Sequence, residues 1–373
     1  MKKGVLGVAI GMLSWASVHG QQVLFAAGDL GYACFRIPAI VQWEPGELYA
    51  FAEGRRENCA DFGDVDILMR TSVDGGTTWS APRVIVDNGE LQAGNATPIL
   101  DRMDPAYPEG RLFLFYNTGT ASEYDTRMGL GRRRGFYITS IDHGRTWSDP
   151  VDLSVSLHMD DLSPHPELDA RTWAFAPGHG LQLTKGPFAG RLFVPMNHSL
   201  GFPQSGFADY QTYGGYSDDH GATWNPSPDL HIPSSNEAMA AQSVDGNLLL
   251  TVRMQNQGIK RKLMALSTTG GASWDSTWLA GDLTTPMCQS SMCFVQGPER
   301  SAFYHVGPAD TATRSGLTLW SSEHGGHLWQ KEAVIYEGPA AYSDIVSLGD
   351  IELGVLFERD DYREIVFQRV ALP

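Results

Sequence analysis

Of the 27 basic residues in this 373-residue chain, only six are lysine. The rest are arginine, whose planar guanidinium can grip a carboxylate or a phosphate through two parallel hydrogen bonds. Two charged side chains stand where an apolar strand runs out: Arg253 after Leu248-Leu249-Leu250-Thr251-Val252, and Glu358 after Gly354-Val355-Leu356-Phe357. A carboxylate in such a place calls for a cationic partner, because an unpaired buried charge is costly. Arg36, Asp61 and Glu237 fall in or beside short irregular segments between strands, where binding and catalytic groups concentrate. Gathered at one end of a rigid scaffold, these residues would form a pocket that captures an anion.

The scaffold is written in two interleaved repeats. Ser-x-Asp-x-Gly-x-Thr-Trp occurs intact at residues 72–79, 140–147 and 217–224. A fourth copy, 267–274, has Thr269 for Asp and Ser273 for Thr, and a fifth, 322–329, keeps only Ser, Gly and Trp. In step with these boxes, Gly-x-Leu and an apolar run recur from residues 46, 110, 190 and 246, with looser copies from 301 and 351. Each run reads as a short strand preceded by a turn, and a fixed alternation of strand and box marks one unit built repeatedly. The sixth strand is followed only by one last strand, 364–370. The expected fold is all-β: a six-bladed β-propeller of four-stranded antiparallel blades, with Val23-Leu24-Phe25 supplying the missing outer strand of the last blade. Box Asp residues are expected to accept backbone N–H bonds within a turn, Gly to supply positive φ, and Trp to pack between sheets. Such boxes belong at the outer connections, away from the pocket.

Bulk properties narrow the setting. Lys2 and Lys3 followed by the apolar stretch 4–18 resemble a secretory leader, with cleavage expected ahead of Gln21. Residues 1–20 are therefore read as a signal peptide, and 21–373 as one propeller domain, secreted or periplasmic. No later apolar run has membrane length, so no membrane insertion is expected. A net charge of −16 argues against nucleic acid and anionic membrane surfaces as partners. The run Arg132 to Arg134 is read as a solvated hairpin. Cys34, Cys59, Cys288 and Cys293 permit three complete pairings, and free buried thiols remain an equal alternative. No His/Cys/Asp cluster has metal-ligand spacing, so neither metal nor cofactor is expected.

The boxes together with Phe35-Arg36-Ile37-Pro38 resemble the exo-α-sialidases (neuraminidases) of bacterial and animal type, across nearly all of the chain after residue 20. The resemblance implies release of terminal α-linked sialic acid from sialylated glycoproteins, glycolipids or oligosaccharides, with retention. It assigns the sugar carboxylate to Arg36, Arg253 and Arg314, with Glu358 supporting Arg36. It assigns the acid/base role to Asp61; Asp64 and Asp66 are close competitors, but Asp66 adjoins the apolar Ile67-Leu68-Met69 and reads as structural. Tyr342 would be the nucleophile and Glu237 its activating base. A neutral phenol escapes the repulsion that a carboxylate nucleophile would meet beside the substrate's own carboxylate, and tyrosine is the known exception among glycosidase nucleophiles. The alternative reading of Tyr342 is a core aromatic. Arg55 and Asn95 resemble positions near the sugar's C4 and N-acetyl groups, although Ala96 stands where many relatives have proline. A non-catalytic sugar-binding propeller, a trans-sialidase and an intramolecular trans-sialidase are the competing readings.

Overall fold

The computed structural model describes residues 20–158 and 169–373. The expected leader lies outside the described residues except for Gly20. The chain is all-β, its strands joined in antiparallel groups, with two short α-helices, Glu123–Arg127 and Ser154–Leu157, among the described residues. No described helix is long and apolar enough to cross a membrane.

Each repeated apolar run forms an inner-to-middle strand of its group: Leu48–Arg55, Arg111–Gly119, Leu192–Leu200, Leu248–Met254, Ser301–Pro308 and Glu352–Arg359. Every residue of Leu48–Arg55 is buried. A strand buried on both faces needs sheets stacked against both, which is why these runs are continuously apolar and not alternating. Contacts between groups run in a cycle. Cys34–Gln42 meets Gln92–Asp101, which meets Leu192–Leu200, then Ser235–Gln242, Ser291–Gln296 and Gln330–Ser347, and the last returns to Cys34–Gln42. The curled sheets thus close on themselves as a β-propeller. Gln22–Ala26 pairs antiparallel with Glu364–Ala371, so the two ends of the described chain lock the ring, as expected of residues 23–25. The 18-residue strand Gln330–Ser347 pairs first with Ser315–Ser322 and then with Glu352–Arg359, bridging two sheets.

The boxes behave as turns. Asp74 accepts from the Thr78 amide at 2.8 Å and the Thr78 hydroxyl at 2.6 Å; Asp142 and Asp219 repeat this with Thr146 and Thr223. In the fourth copy Thr269 Oγ1 takes over the Asp role, accepting from the Ser273 amide at 2.8 Å. The box Trp and Gly pack onto the preceding sheet. Trp79 meets Phe367 edge-on at 5.2 Å, and Trp224 meets Phe115 at 5.1 Å. Gly76 has φ +85, and a Cβ there would stand 2.2 Å from the Phe367 ring, so both conformation and space demand glycine.

Candidate active site

Four of the chemistry-bearing residues sit at bulges. Register breaks fall between Arg36 and Ala39, Gly94 and Thr97, Ser235 and Ala238, and Ala340 and Ser343. These breaks carry Arg36, Asn95, Glu237 and Tyr342. A bulge inserts a residue and re-aims side chains out of the pleat, here toward one end of the ring. Arg36 and Glu237, expected in or beside irregular segments, are therefore inside strands that are locally broken. Ile37 has φ 58 and Asn95 φ 55. The left-handed region is unusual for a β-branched residue and marks strain held by its surroundings. Part of what holds it is Glu358, which accepts the Ile37 amide at 2.8 Å.

Tyr342 lies at the centre. Its hydroxyl donates to Glu237 Oε1 at 2.6 Å and accepts from Arg253 Nη1 at 2.7 Å, while the same Nη1 donates to Glu237 Oε2 at 2.6 Å. The Arg36 and Arg314 guanidinium carbons stand 5.3 and 5.4 Å from the centre of the Tyr342 ring. All three arginines thus converge on one phenol. Burial pushes the Tyr342 hydroxyl well above its ordinary pKa; Arg253 and Arg314 pull it down and Glu237 pushes it further up. The phenol is neutral, with a carboxylate in position to take its proton.

Glu358, fully buried, binds Arg36 Nε at 2.7 Å and also accepts the Tyr342 amide at 3.0 Å. One carboxylate therefore fixes the first arginine and the backbone of Tyr342 together. Arg314 differs from the other cleft arginines. Its partners are the Tyr362 hydroxyl and the Met287 carbonyl, both at 3.2 Å, and it has no carboxylate among the described residues. Arg314 is half-buried and lines the cleft.

On the opposite wall Glu53, 1% exposed, binds Arg55 through Nε at 3.0 Å and Nη2 at 2.7 Å and accepts the Asn95 amide at 2.7 Å. Arg55 Nη1 then reaches Asp61 at 2.7 Å, and Arg36 Nη1 lies 3.8 Å from the same Asp61 oxygen. Partial loss of water raises the Asp61 pKa, but Arg55 and Arg36 outweigh it and hold the carboxyl below its ordinary value. Asp66 is buried against the Tyr32 hydroxyl at 2.5 Å and Arg56 at 2.8 Å, a structural place, and Asp64 pairs with Arg56 at 3.2 Å. Asp61 alone of the three lines the cleft.

Several lining residues were not legible beforehand. Arg133 corrects the solvated-hairpin reading: it opens the strand Arg133–Ser140, lines the cleft and pairs with Glu123 at 2.6 Å. Tyr210 donates to the same Glu123. Arg134 matches the hairpin reading, half-exposed and paired with Asp152. Asn197 also lines the cleft, and its buried Nδ2 has no partner among the described residues, leaving a donor free for a ligand oxygen. The cleft holds about 240 Å³, small for a ligand pocket.

Cys34 and Cys59 form a disulfide, and Cys288 and Cys293 are free, which settles the cysteine question between the two alternatives. Asp101, Asp104 and His220 come together elsewhere without lining the cleft. Arg111 donates to Asp104 at 2.9 Å and lies 4.0 Å from Asp101, so a guanidinium already supplies positive charge to that cluster.

The BNR repeat-like domain family matches residues 46–355. A sialidase from Micromonospora viridifaciens is 31% identical over 91% of this chain, which spans about half (52%) of that relative's length. An exo-alpha-sialidase from Arthroderma benhamiae is 27% identical, covering 94% of this chain and 86% of its own. Among solved structures, the Hadza microbial sialidase Hz136 superposes with a TM-score of 0.77 at 21% identity, covering 94% of this chain and 68% of its own, a likeness of fold. Repeats, ring and relatives agree: the chain belongs to the exo-α-sialidase family of BNR-repeat proteins.

Proposed function

We propose that the protein is a retaining exo-α-sialidase that hydrolyses terminal α-linked sialic acid from glycoproteins, glycolipids or oligosaccharides through a tyrosyl-linked intermediate. The observation that carries this is the Tyr342 hydroxyl, donating to Glu237 at 2.6 Å under three converging arginines. The substrate carboxylate sits among Arg36, Arg253 and Arg314, where Arg314 has no internal carboxylate to neutralise it. Tyr342 Oη attacks the anomeric carbon while Glu237 takes its proton, and Asp61 gives a proton to the departing glycosidic oxygen. Asp61, now a carboxylate, then takes a proton from water, which displaces the phenolate; Glu237 returns the proton to Tyr342. Two displacements at one carbon give retention.

Binding helps Asp61 become an acid. Substrate carboxylate on Arg36 offsets part of the positive charge that keeps Asp61 ionised. Arg55 and Asn95 line the wall beside Asp61, suiting them to the sugar's C4 and N-acetyl substituents.

The scaffold is read as six four-stranded blades in one catalytic domain, residues 21–373. Supporting this are the repeated Gly-x-Leu strands, the closed cycle of inner contacts and the pairing of Gln22–Ala26 with the last strand. Secretion or periplasmic export is proposed from Lys2, Lys3 and the apolar stretch after them. An aryl sialoside assay on wild type and Tyr342→Phe tests the activity. Turnover abolished in the variant supports the reading; equal turnover in both contradicts it. NMR of the first-formed product decides between free sialic acid, a transferred sialoside and an anhydro sugar.

A further inference from the structure

We propose that the Cys34–Cys59 disulfide is a positioning device for the acid, tying the loop that carries Asp61 to the strand that carries Arg36. The placement is symmetrical: each cysteine lies two residues before one of these functional groups. Cys34 is fully buried at the start of Cys34–Gln42. On the other side, residues 56–61 are all exposed, so no apolar packing anchors that stretch. At its start Arg56 is held: its N donates to Asp64 O at 3.1 Å, its O accepts the Ala33 amide at 3.4 Å, and its Nη2 reaches buried Asp66 at 2.8 Å and the Tyr32 hydroxyl at 3.1 Å. Beyond it, Asn58 accepts the Ala60 amide at 2.7 Å within the loop, and Arg55 Nη1 reaches Cys59 O at 2.6 Å. The Asp61 side chain is 77% exposed, and ion pairs of so open a group with Arg55 and Arg36 hold a loop only weakly. Past Arg56, the disulfide is the one covalent tie from this loop into the buried core among the described residues, beside the hydrogen bonds of buried Arg55 to Cys59 O and Asp61.

The cross-link acts locally. Cys34 and Arg55 are register partners across the sheet, so the bridge, 25 residues long in sequence, closes only the turn from Arg55 to Cys59 in the folded ring. Opening it would free a loop while leaving the ladders on either side intact. Arg55 Nη1 meets both Cys59 O and Asp61 Oδ1, so a shift of Cys59 moves the acid directly. Tyr342, Glu237, Arg253 and Glu358 lie on other strands and keep their geometry.

This inference rests on the sialidase reading, with Asp61 as the acid, and makes a claim that general destabilisation does not. Protonation matters most when the leaving group is a sugar alkoxide and least when it is an already stabilised aryloxide. Rates of wild type and Cys34→Ser/Cys59→Ser should be compared on sialyllactose and on a 4-nitrophenyl sialoside. The variant should lose about tenfold to a hundredfold in kcat/KM on sialyllactose, but stay within about threefold of wild type on the aryl substrate. In an Asp61→Ala background, removing the disulfide should change neither rate further, because the two changes act on one group. Should the double variant fail to fold, the native protein can be reduced with a dithiol, which supplies two electrons and two protons and leaves two thiols. The reduced protein should show the same substrate contrast, reversed on reoxidation. Equal losses on both substrates, no loss on either, or a further loss in the Asp61→Ala background would overturn the proposal while leaving the sialidase reading intact. An oxidised wild-type protein without turnover on either substrate would overturn both.

Discussion

The Tyr342 hydroxyl lies 2.6 Å from Glu237 Oε1 and donates to it, while Arg253 donates to the same hydroxyl at 2.7 Å. A phenol kept neutral by burial is a poor nucleophile alone, and Glu237 is the group placed to deprotonate it. Glu237→Gln should keep the fold and lower kcat by about a hundredfold to ten-thousandfold, the usual span for loss of a general base. Circular dichroism and steady-state rates on one preparation check both halves.

Arg36 and Arg314 should respond differently to removal. Arg36→Ala leaves the fully buried Glu358 without its cation, which costs about 3–5 kcal/mol as for other broken buried pairs. Arg314→Ala strands no carboxylate and should leave the melting temperature nearly unchanged. It should instead weaken binding of sialic acid about tenfold to a hundredfold, through loss of a charged hydrogen bond. Thermal melts with product-inhibition constants separate the two effects.

The acid's protonation should be adjustable through Arg55. Partial desolvation raises the Asp61 pKa, while Arg55 and then Arg36 lower it further than that. A depressed pKa means the proton is lost at lower pH, so kcat/KM, which reports the free enzyme, should fall with rising pH from an acidic limb. Arg55→Gln removes the largest lowering influence and should move that limb to higher pH. A limb that stays in place, or moves down, argues against Asp61 as the acid.

The boxes should affect stability without affecting chemistry. Hydrogen bonds, chiefly from the Thr78 and Thr146 hydroxyls, pull Asp74 and Asp142 down to about 2. A folded pKa below the unfolded value contributes stability that is present above the unfolded pKa and lost as pH falls toward about 2. Asp74→Ala should lower the melting temperature at neutral pH, by less as pH approaches 2, with kcat/KM unchanged. Thr269→Asp, which puts a carboxylate in place of the hydroxyl acceptor of the fourth box, should raise it.

What could be read from the chain beforehand follows the range of the interaction. The boxes are local: Asp74 and its threonine are four residues apart, so their chemistry shows in the pattern. Arg253 and Glu358 were visible because a charge interrupts an apolar strand. Glu53 was not. Nothing in Phe51-Ala52-Glu53-Gly54-Arg55 marks it, because what meets it in the buried wall is Arg55 and an amide 42 residues away. Glu123 and Tyr210, 87 residues apart, meet only where one sheet packs against the next, and the Arg132 to Arg134 run hides a cleft residue between more exposed neighbours. Bulges leave little trace in composition. Pro38, which cannot donate to a ladder, was the one available sign of the break at Arg36.

As the nucleophile, Tyr342 becomes covalently attached to the sugar. Incubation with a 2,3-difluorinated sialic acid, followed by proteolysis and mass spectrometry, tests it most directly. One added 3-fluorosialosyl mass is expected on the peptide containing Tyr342, with fluoride released from C2, and none on Tyr342→Phe. A label on another residue, or continued turnover by Tyr342→Phe with no label on wild type, would contradict it.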